Sequence, residues 1–358
     1  MYLRWRWLLI PLMVSLCAAC ASQQKGATPG PAGAKGEGTK KGPPASAHWS
    51  DADSEIVAKE LVASLLKSSG LKAYRAKLGR APLFHVATLR NRTSRMLDAR
   101  GITKILVSQL AKKGLSVVSA TSTKKADLAL TGFIYGLSDN KGGRFLRTTM
   151  VRLDAIRVAT SEKVWVGRSL VRKLVEYSAS PWPDKNKPAK PRKPAKPPTA
   201  TYLAHDAELA LSGALNDLDL RRAARAAAKA ASRSWLSRPG KPPVLKFYPI
   251  RNRTSQHVQF GLFTTELEVA LLASGKVRVV AAPDQTQTLR ALRVKDASLP
   301  SEVGAEQIIN GWLTERREGK KVRYVLSLGA TKVSSDQKVF VFTHTMDKTL
   351  SAAARPVF

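Results

Sequence analysis

The sequence predicts an α/β protein built from two tandem three-layer α/β/α domains, each a small mixed β-sheet flanked by helices. Three observations carry that prediction. Leu89-Arg90-Asn91-Arg92-Thr93-Ser94 recurs 161 residues later as Ile250-Arg251-Asn252-Arg253-Thr254-Ser255. An apolar strand-like run precedes each copy: Leu83, Phe84, Val86 and Ala87, then Val244, Leu245, Phe247 and Tyr248. An amphipathic helix follows each copy, on Ile102, Ile105, Leu106 and Leu110, then on Leu262, Phe263, Leu267, Ala270 and Leu271.

Taken in order, residues 1–20 read as an address. Arg4 and Arg6 precede an apolar run from Trp7 to Leu16, too short to span a bilayer and suited to a secretory signal. Leu16-Cys17-Ala18-Ala19-Cys20 looks like a bacterial lipobox, which implies cleavage before Cys20 and lipidation of its thiol. An ordinary signal peptide or an unlipidated anchor is the alternative. Residues 21–47 are mainly Gly, Pro, Ala, Lys and Ser and predict a disordered tether. Its r.m.s. reach is about 30 Å.

The first domain is expected over residues 48–178. Asp51 or Asp53 caps its opening helix, which carries Ile56, Leu61, Val62, Leu65 and Leu66. The helix after the repeat motif ends at Gly114, and a short strand follows on Val117 and Val118. Then come ADLALTG at Ala126–Gly132, a run with Val151, Leu153 and Ala155 on one buried face, and Lys163-Val164-Trp165-Val166. Residues 179–215 form a linker, cationic and Pro-rich from Pro181 to Thr199. That linker is either a solvated spacer or a basic tail.

The second domain is expected over residues 216–358. Its first helix starts near Asp219 and stops before Pro239-Gly240. Arg221, Arg225, Lys229 and Arg233 recur at i+4 along it, as a solvated face or as a docking stripe for an acidic partner. After Gly275 and the strand at Val277–Val280, a helix is expected from Asp284 to Leu292. The first copy has little room for that helix between Val118 and Ala126. AEQIING, the alternating run at Val322–Leu328 and Lys338-Val339-Phe340-Val341 close the copy.

Asn91 and Asn252 suit strand ends, because Asn tolerates turn geometry and bonds its own backbone, while Thr93 and Thr254 suit loop or cap positions. Arg92 and Arg253 either serve that loop or point outward to read a ligand.

Composition excludes several classes. Two cysteines, Cys17 and Cys20, make neither a disulfide scaffold nor a thiolate metal site. The five histidines form no close ligand pair, so no metal and no cofactor are expected. Ser122-Thr123-Lys124-Lys125 and Ser138-Asp139-Asn140 fit two motifs of penicillin-recognising enzymes, but the third, K-T-G, is absent. S-x-x-K also occurs at Ser64 and Ser335. No catalytic residue is assigned. The formal net charge of +34 favours acidic partners; with an export signal that points away from nucleic acid, towards weak contact with anionic lipid or peptidoglycan.

Lipobox, tether, capped helix and a strand ending in Asn-Arg-Thr together resemble the LpoB-type penicillin-binding-protein activator family. The carriers are Asn91-Arg92-Thr93, Ala126-Asp127…Gly132 and Lys163-Val164-Trp165, with Asn252-Arg253-Thr254, Ala305…Gly311 and Phe340 in the second copy. The resemblance implies an outer-membrane lipoprotein, lipid-anchored and facing the periplasm. It implies a non-enzymatic activator that binds a bifunctional penicillin-binding protein. Duplication departs from the simplest family layout. An oligomeric envelope-assembly lipoprotein of the curli-export type is the alternative.

Overall fold

The computed structural model describes residues 47–119, 125–141, 144–177, 198–204, 214–237, 239–256, 258–293 and 304–350. The lipobox with Cys20, the tether up to residue 46, most of the linker, Ser122, His205 and His257 lie outside the described residues.

Helix α1 (Asp51–Lys67) opens on Ser50, whose side chain accepts from the Asp53 amide while Asp53 accepts from the Ser50 amide. The cap is thus the hydroxyl one residue ahead of the expected aspartates, and Asp53 completes a reciprocal capping box. Helix α2 (Ser69–Leu78) follows after Ser68, an element the apolar spacing did not announce. It lies so close to the sheet that a Cβ on Gly70 would sit 1.8 Å from the Val164 carbonyl oxygen.

The first copy continues with β1 (Phe84–Val86), β2 (Arg90–Asn91), α3 (Ala99–Lys112) and β3 (Val117–Val118). Three long strands follow: β4 (Leu128–Lys141), β5 (Arg144–Arg157) and β6 (Glu162–Glu176). Strand β7 (Thr199–Leu203) comes from the expected linker and pairs antiparallel with the end of β6. The second copy runs α4 (Asp217–Arg233), β8 (Val244–Phe247), β9 (Arg251–Arg253), α5 (Phe260–Ala273) and β10 (Arg278–Val280). It ends with α6 (Pro283–Arg293), β11 (Gln307–Glu318), β12 (Lys321–Lys332) and β13 (Lys338–Thr349). Helix α4 repeats the capping box of α1, on Asn216 and Asp219.

Both copies use the Ala-acid dipeptide alike. Asp127 accepts from the Leu83 amide at 2.7 Å, and Glu306 accepts from the Val244 amide at 3.3 Å. Each carboxylate thereby ties the start of a long strand to the first strand of its copy, β1 or β8, which pairs with it in parallel.

The α/β reading holds, and among the described residues the two copies share one 13-stranded sheet, ordered β13-β12-β11-β8-β10-β6-β5-β4-β1-β3, with β2, β7 and β9 alongside. The junction is antiparallel, with Val279 opposite Lys163 and Val280 opposite Glu162. Helices α1 and α3 cover one face of the first copy, over Leu128, Leu130, Val151, Leu153 and Ala155. The opposite face of that copy is covered by helices of the second. Leu289 of α6 packs on Ala129, Ile156 and Val158, and α4 and α5 share a core with Met150 and Leu170.

This layering corrects one expectation. Val151, Leu153 and Ala155 were expected to alternate with solvent-facing residues, yet Met150 through Ile156 are all buried. A strand covered on both faces loses its polar alternation unless the intervening polar groups are paired.

They are paired. Arg152 grips Asp154 through two bonds of 2.7 Å and reaches Glu268 of α5 at 2.6 Å. Lys163 lies 3.0 Å from Asp154 and 2.7 Å from Glu268. Gln285 of α6 donates to Asp154 at 2.8 Å and to Thr131 at 2.9 Å. Two cations and two anions therefore close a neutral cluster across the junction, with every side chain at most 5% exposed. Further out, Arg168 bonds Glu266, and Arg172 and Arg221 face Asp217. Burial alone would lift the Asp154 carboxyl, but Arg152 and Lys163 outweigh it and hold it well below the usual carboxylate range. Burial likewise opposes the charge on Arg152, and Asp154 and Glu268 reverse that, raising it well above the normal arginine value.

Two predictions follow from this cluster. Glu268→Ala leaves two buried cations facing one carboxylate and should cost about 3–5 kcal/mol in urea unfolding. Removing the exposed Lys59–Glu55 pair, by Lys59→Ala, should cost less than about 0.5 kcal/mol. A folded-state pKa below the unfolded one means that the unfolded chain binds the proton first as pH falls. The Asp154 contribution is therefore complete above about pH 4 and drains away below it. Urea midpoints should drop on acidification, and Asp154→Asn, weaker at neutral pH, should show a smaller drop.

Candidate docking surface

The two Asn-Arg-Thr motifs build identical loops. The Asn91 side-chain oxygen accepts from the Thr93 amide at 2.9 Å, and its amide donates to the Arg95 carbonyl at 2.6 Å. Asn252 does the same with Thr254 at 3.1 Å and with the Gln256 carbonyl at 2.6 Å. Thr93 and Thr254 accept from the amides of Arg95 and Gln256. Neither threonine caps the next helix. Asp98 caps α3, accepting from the Gly101 amide at 2.9 Å, and Gln259, at the N-cap of α5, makes no side-chain cap bond.

Each loop delivers an arginine onto an aromatic ring of the neighbouring long strand. Arg92 sits 4.5 Å from the Phe133 ring centre, and Arg253 sits 5.9 Å from that of Trp312. The rings are equivalent in register, since Arg90 pairs with Phe133 and Arg251 with Trp312. Their surroundings differ. Asp284 of α6 forms an ion pair with Arg92. Gln259 bridges the Gly136 amide and the Arg92 carbonyl, at 3.1 and 3.5 Å. The first motif therefore lies against the second copy. Arg253 has no ion pair among the described residues and is exposed.

The sheet face around Arg253 is open. Asn310 and Trp312 on β11, Arg323 on β12, and Val341, Thr343, Thr345 and Asp347 on β13 are exposed, while their strand neighbours turn inward. Trp312 is 40% exposed and Val341 66%. Arg323 and Asp347 neutralise each other at 2.7 Å. Neither Trp312 nor Val341 was singled out in the sequence. The available signal was a Trp on the outward phase of an alternating strand, between buried Gly311 and Leu313.

The α4 stripe divides. Arg225, Lys229 and Arg233 are exposed, whereas Arg221 is 4% exposed and cannot form part of an outer stripe. Asp217, one turn earlier, draws it inward beside Arg172. Burial pushes the Asp217 carboxyl up, against both arginines, and burial lowers Arg221 against the pull of Asp217. The remaining stripe of Arg225, Lys229 and Arg233 lies on α4, and the open face lies on β11, β12 and β13.

Ser138 lies on β4, where its hydroxyl accepts from Arg95 at 3.0 Å. Among the described residues no group of His, Cys, Asp and Glu could hold a metal ion, and no helix is long and apolar enough to cross a membrane.

The sequence pattern of the peptidoglycan-synthase activator LpoB family matches residues 53–125 and 219–340, together more than half of the chain. The chain belongs to the LpoB family. Both copies carry the match, and the family is one of activators rather than catalysts. Among solved structures, the LpoB C-terminal domains from Salmonella enterica and from Escherichia coli are each 18% identical. Each comparison covers 36% of this chain and 98% of the other, with a TM-score of 0.26. The NMR structure of E. coli LpoB is 18% identical over 43% of this chain and 82% of that one, with a TM-score of 0.24. No curated protein matches the chain.

The loop hydrogen bonds predict a local cost. Asn252→Ala removes bonds to Thr254 and Gln256 in an exposed loop and should destabilise the protein by about 1–2 kcal/mol in denaturant unfolding. Asn252→Asp, which keeps the acceptor for Thr254 and loses only the donor to Gln256, should cost less.

Proposed function

We propose that this protein is an outer-membrane lipoprotein that reaches into the periplasm, binds a bifunctional penicillin-binding protein and raises its turnover. The observation that carries the reading is the LpoB match in both copies, in the order of the chain. The lipobox at Cys20 and the low-complexity segment after it support a lipid anchor and a tether. Residues 48–178 and 216–358 are then two activator-like units joined by the 179–215 linker, and they act as one body through the shared sheet.

Activation of this kind is a shift in population. The activator must bind the productive conformation of the synthase more tightly than the idle one, and the ratio of the two affinities limits the gain. A rigid two-copy body suits that task, because a partner bound to it meets a fixed surface rather than two units on a loose hinge. The excess of cationic residues speeds the encounter with an acidic face.

Full-length protein in detergent, added to a purified bifunctional synthase from the same cells, should raise glycan polymerisation from lipid-linked precursor. The expected rise is about fivefold or more, a coupling on the order of 1 kcal/mol. An unchanged rate at saturating activator would sink the reading.

A further inference from the structure

The interface between the two copies is a template for what the second copy still lacks. In the first copy an arginine lies over an aromatic ring and a carboxylate closes on it from outside: Arg92, Phe133 and Asp284. In the second copy Arg253 lies over Trp312 in the same register, with no carboxylate among the described residues. The sheet around the first pair is covered by α5 and α6. The equivalent sheet around the second pair is open, with Trp312 and Val341 exposed on it.

We propose that the Arg253–Trp312 pair is the docking point for a carboxylate of an acidic protein partner, which covers the open sheet face of the second copy. A guanidinium stacked on an indole keeps its N–H edge free for a carboxylate, and the ring walls one side of that contact off from water. Arginine and tryptophan are also the side chains that most often dominate binding energy at protein interfaces. The surrounding face is apolar and polar-neutral rather than acidic: Val341, Thr343 and Thr345, with Arg323 and Asp347 cancelling each other. The proposal deepens the activator reading and takes the partner's identity, the synthase, from it.

A second copy of this chain is a poor occupant. Docked head to tail, its helix α3 would take the place that α5 holds over the first copy. Counting from the shared motif, α3 has Lys104 and Val107 where α5 has Thr265 and Glu268. The first copy also has only nine residues between Val118 and Leu128, SATSTKKAD, where the second has α6 with Asp284. The open face in turn lacks the groups that held α5 in the first copy. Register places Ser327 and Gly329 where Arg152 and Asp154 stand. Neither side of such a contact supplies a counterpart of Asp284 or Glu268, and Asp98, which stands at the Gln259 position, is engaged in capping α3, so the occupant is a different, acidic protein.

The test uses full-length protein in detergent, titrated against the bifunctional synthase in a binding assay and a turnover assay. Arg253→Glu and Trp312→Ala should each weaken binding by at least about tenfold, the span expected for an interface anchor. Arg253→Glu should keep the wild-type unfolding midpoint, since that side chain is exposed. Lys112→Glu on α3, with the same charge change, should bind as wild type. A parallel titration follows Trp312 fluorescence, as the difference between wild type and Trp312→Phe, against a short glutamate-rich peptide. Synthase binding that survives both variants overturns the docking site and leaves the activator reading standing. Loss of synthase binding in wild type, with Trp312 still responding to the peptide, overturns the activator reading and supports the acidic docking point. No response to either ligand overturns both.

Discussion

The structure depends on four buried charges that belong to two copies of one motif. Arg152, Asp154 and Lys163 come from the first copy, and Glu268 comes from the second. Any one of them alone would be prohibitive in a dry interior, and together they are neutral and hydrogen-bonded. The set works only when the copies are docked in one register. Antiparallel pairing at the β6–β10 junction sets that register, and the ion cluster penalises every other. A hydrophobic junction would hold the copies together with less discrimination between neighbouring alignments.

Duplication followed by docking makes the copies unequal. The first copy is a sheet between two helical layers, one of them borrowed. Helix α6 supplies part of that layer, and the first copy has no room in its own chain for such a helix. The second copy lends α5 and α6, and among the described residues no helix of the first copy covers its outer sheet face, which stays open. Equivalent residues therefore have different fates. Arg92 is tied to Asp284, whereas Arg253 is exposed over an exposed Trp312.

Close approach at the junction adds a steric condition to the electrostatic one. A Cβ on Gly261, in the first turn of α5, would lie 2.1 Å from the Tyr135 ring of the first copy. The counterpart of Gly261 in α3 is Arg100. The helix that faces the other copy is small there, and the helix that faces solvent is large and charged. The same pair of helices shows the change in acidity, Glu266 and Glu268 against Ile105 and Val107.

Much of the fold was legible in the sequence because it is local. The repeat, the helix after each motif, the glycines that end those helices, and the alternating strands rest on periodicities of 3.6 and 2 and on turn chemistry. The Asn-Arg-Thr loops are equally local: each is held by hydrogen bonds spanning four residues at most. Helix α2 was not legible, since Leu71 is its one buried side chain and its close approach to the sheet depends on Gly70 meeting Val164. The inward turn of Arg221 was not legible either, because its cause is Asp217 together with Arg172 from the other copy. Sequence by itself determined the elements the two copies share and their order, since each is set by contacts within a few residues. Only the tertiary structure decided that the copies share one sheet, which arginine is satisfied within the chain and which face remains free. Those outcomes depend on pairing charges more than 100 residues apart, as Lys163 and Glu268 do, and no local pattern records such a partner.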